Sequence, residues 1–181
     1  LWTEEEVKDL DPEFGGLLDE VLRGVGSPAV KSDIARIAII YALGGVWLDT
    51  DFEPAKPLGD LLDGLAAFRV NAGVDLALGV FGCVPGHDWM KAARTSVKLR
   101  KAHRQPPPGV QYVTCGVGQD MKIPALPDHY FYPYLANQPE LVYKPASTWP
   151  EAYGVHRHAF SWNPDPKRNL MPLFQKFKNR F

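Results

Sequence analysis

A helix obliged to end at Gly44-Gly45, followed within a few residues by two aspartates, constrains this chain more than any other stretch. Ser27-Pro28 reads as a helix start, with Ser as N-cap and Pro in the first helical position. Ile34, Ile37, Ala38, Tyr41 and Ala42 then recur at helical spacing. The glycine pair supplies the left-handed conformation of a C-terminal cap. Val46-Trp47-Leu48 follows at once and predicts a short buried strand, with Asp49-Thr50-Asp51 where that strand runs out. Carboxylates at i and i+2 on an extended segment point to the same side. Such a pair is costly beside a buried strand end unless a cation or ligand donors compensate it. Hard oxygen donors suit Mg²⁺ or Mn²⁺, ions that commonly bridge protein carboxylates to a diphosphate.

The remaining sequence reads as one continuous α/β unit. Leu76 to Cys83 predicts a strand, and Asp88 is expected to cap a helix running to about His103, stopped by Pro106-Pro107-Pro108. Gln111 to Thr114 predicts another strand. From Pro124 to Trp162 the chain is rich in Pro and aromatics and is expected to be loop-dominated, with short strands near Tyr130 and Val155. No internal repeat or linker is visible, so residues 1–181 are expected to form one domain, a size that buries a real core. A net charge of -1 and a pI near 6.6 exert no global pull toward nucleic acid or anionic membrane, so phosphate recognition has to be local.

Cys83 and Cys115 belong to no metal-type spacing and are expected to be buried, reduced thiols, which favours an intracellular setting, cytoplasmic in a bacterium. No apolar run approaches the roughly 20 residues of a membrane span, and no basic-then-apolar leader is visible. The chain starts at Leu1 rather than Met, which leaves an upstream anchor or targeting segment open. At the other end Leu170, Leu173, Phe174, Phe177 and Phe181 share a helical face, crowded by Lys167, Arg168, Lys176, Lys178 and Arg180. This amphipathic basic helix fits either a closing role against the domain or peripheral contact with a membrane surface or anionic acceptor.

Read together, Lys31-Ser32-Asp33-Ile34-Ala35-Arg36, Leu43 to Asp51 and Pro57-Leu58 carry a resemblance. The chain resembles the DXD sugar-binding region of the glycosyltransferase family that includes yeast-type initiating α-mannosyltransferases and the large clostridial glucosylating toxins. It matches that pattern at Ser32, Asp33, Arg36, Gly44, Gly45, Asp49 and Asp51, with Trp47 where an aromatic, usually Tyr, is expected. Looser similarities follow at Pro85-Gly86-His87, at Leu126-Pro127 with Phe131-Tyr132-Pro133, and at His156 with Ser161-Trp162. Three departures stand out. Leu1-Trp2-Thr3-Glu4-Glu5 is similar to the family's second segment, so the usual first strand is expected to be lacking and the domain incomplete at its N-terminus. Gly79 stands where relatives often have Asn, and Thr114-Cys115-Gly116-Val117 where a Gly-Pro pair is usual.

The resemblance implies a single-domain GT-A fold, a nucleotide-binding α/β sandwich, and a retaining transfer from a UDP-sugar or GDP-mannose to a glycan or other hydroxyl acceptor. It implies Mn²⁺ or Mg²⁺ held directly by Asp51 and mainly through water by Asp49, with His156 and His158 as further candidate ligands. Asp33 and Arg36 are implied at the donor sugar and diphosphate, Asp49 also at the sugar or ribose, Trp47 at the ribose, and Ser161 and Trp162 as further donor contacts. Each residue has a plainer account. Asp33 and Arg36 are i,i+3 neighbours able to form a surface ion pair. Asp49 and Asp51 suit an Asx-type turn. The two histidines alternate along a predicted strand, so both rings can face one side, but exposed loop histidines look the same in sequence. Trp47 and Trp162 suit core packing. Two functional rivals remain: a nucleotide-sugar binding module without turnover, and a haloacid-dehalogenase-type phosphatase, which Glu53 disfavours because that position calls for Thr or Val.

Overall fold

The computed structural model describes residues 2–12, 28–72, 75–102, 117–135 and 138–158. Helix α1 (Glu4–Leu10) starts in a capping box, in which Thr3 Oγ1 accepts the Glu6 N–H and the Glu6 carboxylate accepts the Thr3 N–H. Helix α2 (Pro28–Leu43) follows the expected span, and the Gly44 N–H closes it on the Ile40 carbonyl at 2.9 Å. Gly44 has φ +67°, and a Cβ there would lie 2.6 Å from Pro85 Cδ, so both conformation and space require glycine. Strands β1 (Gly45–Leu48) and β2 (Phe52–Pro54), helix α3 (Gly59–Leu62), strands β3 (Ala67–Ala72) and β4 (Asp75–Cys83), helix α4 (Asp88–Ala102), and strands β5 (Ala125–Leu126) and β6 (Gly154–His156) complete the regular elements named below.

A four-stranded sheet has the order β1-β4-β3-β5, in which β3 and β5 run parallel and the other pairs antiparallel. β2 and β6 form a separate antiparallel pair. This mixed α/β arrangement is compatible with a GT-A-like fold. Helices α2 and α4 cover the sheet with Ile34, Ile37, Ala38 and Ile40 meeting Leu78, Phe81, Trp89, Met90 and Ala93. A second cluster, Phe68, Val70, Val80, Phe131 and Tyr132, also draws on β3 and β4. Asp11 and Arg94, both buried, pair at 2.7 Å and tie the end of α1 to α4, with Arg94 stacked 4.2 Å from the Tyr41 ring centre.

Three expectations are corrected. β1 is not a buried strand: it ends the sheet order with β4 as its partner, and Val46 and Leu48 are each 36% exposed. A short apolar run carries no information on whether a strand lies at the edge or the centre. Tyr130 closes a 3-10 turn, Asp128–Tyr130, because the Asp128 carbonyl takes the N–H groups of Phe131 and Tyr132, and sheet pairing passes instead to β5. Asp88 is the first helical residue of α4, and the imidazole of His87 serves the helix start by accepting the Trp89 N–H at 3.1 Å. The strand at Val155 is found as β6, and Cys83 is a buried free thiol. The predicted strand at Gln111–Thr114, Cys115, the Ser27 cap and the C-terminal basic helix lie outside the described residues.

Candidate active site

The site is built around a buried arginine. Arg36, 6% exposed, lies on α2 one turn after Asp33, whose carboxylate it meets at 3.0 Å. Its Nη1 donates to the Leu78 carbonyl of β4 at 2.7 Å and also meets Asp49 Oδ1 at 3.2 Å. Nε and Nη2 donate to the Ser32 carbonyl and hydroxyl. One guanidinium thus joins helix, central strand and the loop after β1, a task that a forked donor set performs and a lysine does not.

Asp49 is fixed from several directions. Its backbone N–H donates to the Gly79 carbonyl at 2.9 Å, and its Oδ1 accepts the Trp47 indole N–H at 2.9 Å. The Phe52 N–H closes a turn on the Asp49 carbonyl at 3.0 Å. Asp49 and Asp51 therefore share a side because the chain turns there, not because it stays extended as the i,i+2 spacing suggests. Phe52 pairs with His156 across β2 and β6, and this register delivers the imidazole to both carboxylates. His156 Nε2 lies 3.4 Å from Asp49 Oδ2 and 3.3 Å from Asp51 Oδ1. The three residues offer ligand atoms that all lie within 4.8 Å of one another. His156 Nδ1 accepts the backbone N–H of His158 at 3.3 Å, which orients the ring with Nε2 toward the two carboxylates.

Electrostatics separate the two acids that flank Arg36. Burial raises the Asp33 pKa and outweighs the Arg36 charge, with Asp49 adding to the rise. Burial also pushes Asp49 upward, but the His156 hydrogen bond, the Arg36 charge and the Trp47 N–H together win and hold it below the usual carboxylate range. His158 does not join the group of three. It sits at φ +49°, its ring 4.7 Å from that of His156 and its Nε2 3.4 Å from the Tyr134 carbonyl, and burial lowers its pKa to about 4. Ser161 and Trp162 lie outside the described residues.

Residues 7–68 match the family model of the glycosyltransferase sugar-binding region containing a DXD motif. The chain thus carries a DXD-motif glycosyltransferase region, with Asp49-Thr50-Asp51 as its DXD, and the matched span also holds Asp33, Arg36 and Trp47. It covers about a third of the 181 residues and stops short of Gly79 and His156. No curated protein and no solved structure matches the chain.

Three residues around the DXD were not singled out as site residues by sequence. Gly79 reads there as a departure, yet a Cβ at this position would lie 2.6 Å from the Tyr132 hydroxyl and 2.9 Å from His156 Cδ2 and Nε2, so its missing side chain is the space that the imidazole occupies. Tyr132 packs its ring 5.2 Å from that of His156. Its motif, Phe131-Tyr132-Pro133, was visible but assigned no role to it. Arg157, 4% exposed, donates through Nε to Glu53 Oε2 at 2.9 Å, through Nη2 to the same oxygen, and through Nη1 to the carbonyls of Val142 and Lys144. That clamp holds β6 on β2, next to the DXD, and no spacing rule marks an arginine between two histidines.

Proposed function

We propose that this chain is a metal-dependent, retaining glycosyltransferase that moves a hexose from a UDP-sugar or GDP-mannose to a glycan or other hydroxyl acceptor. The observation that carries the reading is the convergence of Asp49, Asp51 and His156 at one end of the β2–β6 pair, where Phe52 is paired with His156. One imidazole nitrogen there lies within 3.4 Å of Asp49 and 3.3 Å of Asp51, so a nitrogen and two carboxylate oxygens face a common point. Two hard oxygens with one imidazole are a donor set suited to Mn²⁺ and acceptable to Mg²⁺. Asp51 is the direct ligand in this reading, Asp49 acts mainly through water, and His156 completes the set, with His158 supporting it from behind. When bound, the ion supplies Lewis-acid stabilisation of the departing nucleoside diphosphate.

The other roles belong to the chain itself. Asp33 accepts hydroxyl groups of the donor sugar, and Arg36 holds Asp33 and Asp49 in fixed relation while contributing positive charge beside the diphosphate. Ser161 and Trp162 extend the donor contact toward the phosphates. As the anomeric C–O bond to the diphosphate breaks, the acceptor hydroxyl forms the new C–O bond from the same face and passes its proton to the departing phosphate oxygen, which retains configuration without a general base or a carboxylate nucleophile. Residues 1–181 act as one GT-A-like domain in this proposal. No helix among the described residues is long and apolar enough to cross a membrane.

The test is release of free sugar from a panel of UDP- and GDP-sugars with and without Mn²⁺. Slow Mn²⁺-dependent hydrolysis in the wild type, reduced at least 100-fold in Asp51→Ala, is the expected result. Tight donor binding with no turnover would replace the enzyme reading with that of a nucleotide-sugar binding module.

A further inference from the structure

We infer that Trp47 is a positioning residue that selects which oxygen of Asp49 faces the proposed ion, rather than a contact for the donor's ribose. The inference rests on the ion site proposed above. In β1, Val46 and Leu48 are exposed, whereas Trp47 packs against the core formed by α2, β4 and α4. Its indole N–H meets Asp49 Oδ1 at 2.9 Å, and Arg36 Nη1 meets the same oxygen at 3.2 Å. The guanidinium carbon also lies 5.0 Å from the centre of the indole ring.

A carboxylate oxygen has two lone pairs, and two donors satisfy Oδ1. The backbone N–H of Asp49 is held by Gly79, so the main chain cannot follow a swinging side chain. A planar carboxylate with one oxygen pinned has the direction of the other determined, and Oδ2 is the oxygen that faces His156 at 3.4 Å. With Arg36 engaging the same oxygen through charge, the indole N–H adds a direction that a bare guanidinium contact lacks. Partners that orient a metal's direct ligands typically account for about 10–100-fold in affinity, and for an oxygen that acts mainly through water the lower end of that range is expected.

Trp47→Phe keeps an aromatic ring beside Arg36 and removes the N–H. We expect its Mn²⁺ dissociation constant, measured by titration calorimetry with Mn²⁺ alone, to rise about ten-fold or more, with the far-ultraviolet circular dichroism of the wild type. In the wild type, Mg²⁺ alone should shift the Trp47 indole N–H resonance more than those of the other four tryptophans, and that proton should exchange slowly with water. A folded Trp47→Phe protein with unchanged Mn²⁺ affinity overturns the inference and leaves the ion site standing. If the variant does not fold, the resonance decides, and a Trp47 proton that ignores bound Mg²⁺ is equally fatal. Wild-type protein that binds no Mn²⁺ removes the ion site, and this inference with it.

Discussion

Replacing Gly79 with Ala adds one methyl group at the tightest point of the site. The backbone there is not in the left-handed region, so the cost is steric alone. The new Cβ would start 2.6 Å from the Tyr132 hydroxyl and 2.9 Å from two atoms of the His156 ring. Ordinary contacts of about 3.5–4.0 Å require the imidazole to retreat by roughly 0.6–1.1 Å. Its Nε2 already sits at 3.4 and 3.3 Å from the two carboxylates, the outer limit of a hydrogen bond, so that retreat breaks the cluster. Overpacking of this kind destabilises by about 1–3 kcal/mol. At about 2–4 °C per kcal/mol for a chain of this size, the melting temperature should fall by roughly 2–12 °C. Thermal unfolding with and without Mn²⁺ is the assay. A ligand at 100 times its Kd stabilises the wild type by about 2.7 kcal/mol, and most of that increment should vanish in Gly79→Ala. Gly59→Ala is the control, because a Cβ at Gly59 meets nothing within 4 Å and should leave both readings within about 0.5 kcal/mol of wild type. A Gly79→Ala protein with the wild-type melting temperature and full Mn²⁺ response would refute the notch.

Three further outcomes follow from the fold. Arg94→Leu removes the guanidinium that meets the buried Asp11 carboxylate at 2.7 Å, and urea denaturation should show a loss of about 3–5 kcal/mol, most of it recovered when Asp11→Leu is added. Burial raises the Cys83 thiol pKa to about 11 from an ordinary 9.0, so a thiol reagent at pH 8 should label this cysteine only after denaturation. Because the folded state holds that proton more tightly, the thiol's contribution to stability is complete below pH 9 and is lost as pH rises toward 11. Wild type should therefore lose stability over that interval faster than Cys83→Ala, as read by thermal unfolding at several pH values.

Sequence alone determined the helix–glycine–strand–aspartate unit. Helical spacing from Ile34 to Ala42, the left-handed preference of Gly44 and the i,i+3 relation of Asp33 and Arg36 are local, and local backbone preferences act at the level of the residues themselves. The DXD was legible for the same reason. Tertiary structure alone decided that Asp49 and His156, 107 residues apart, meet, because that contact depends on the register between β2 and β6. It also decided that β1, among the described residues, ends the sheet order beside β4, that a turn rather than an extended strand aligns the two aspartates, and that Gly79 clears room for an imidazole. None of these leaves a periodic trace along the chain: a strand's place in a sheet, and the volume that a neighbour needs, are properties of whatever folds against it.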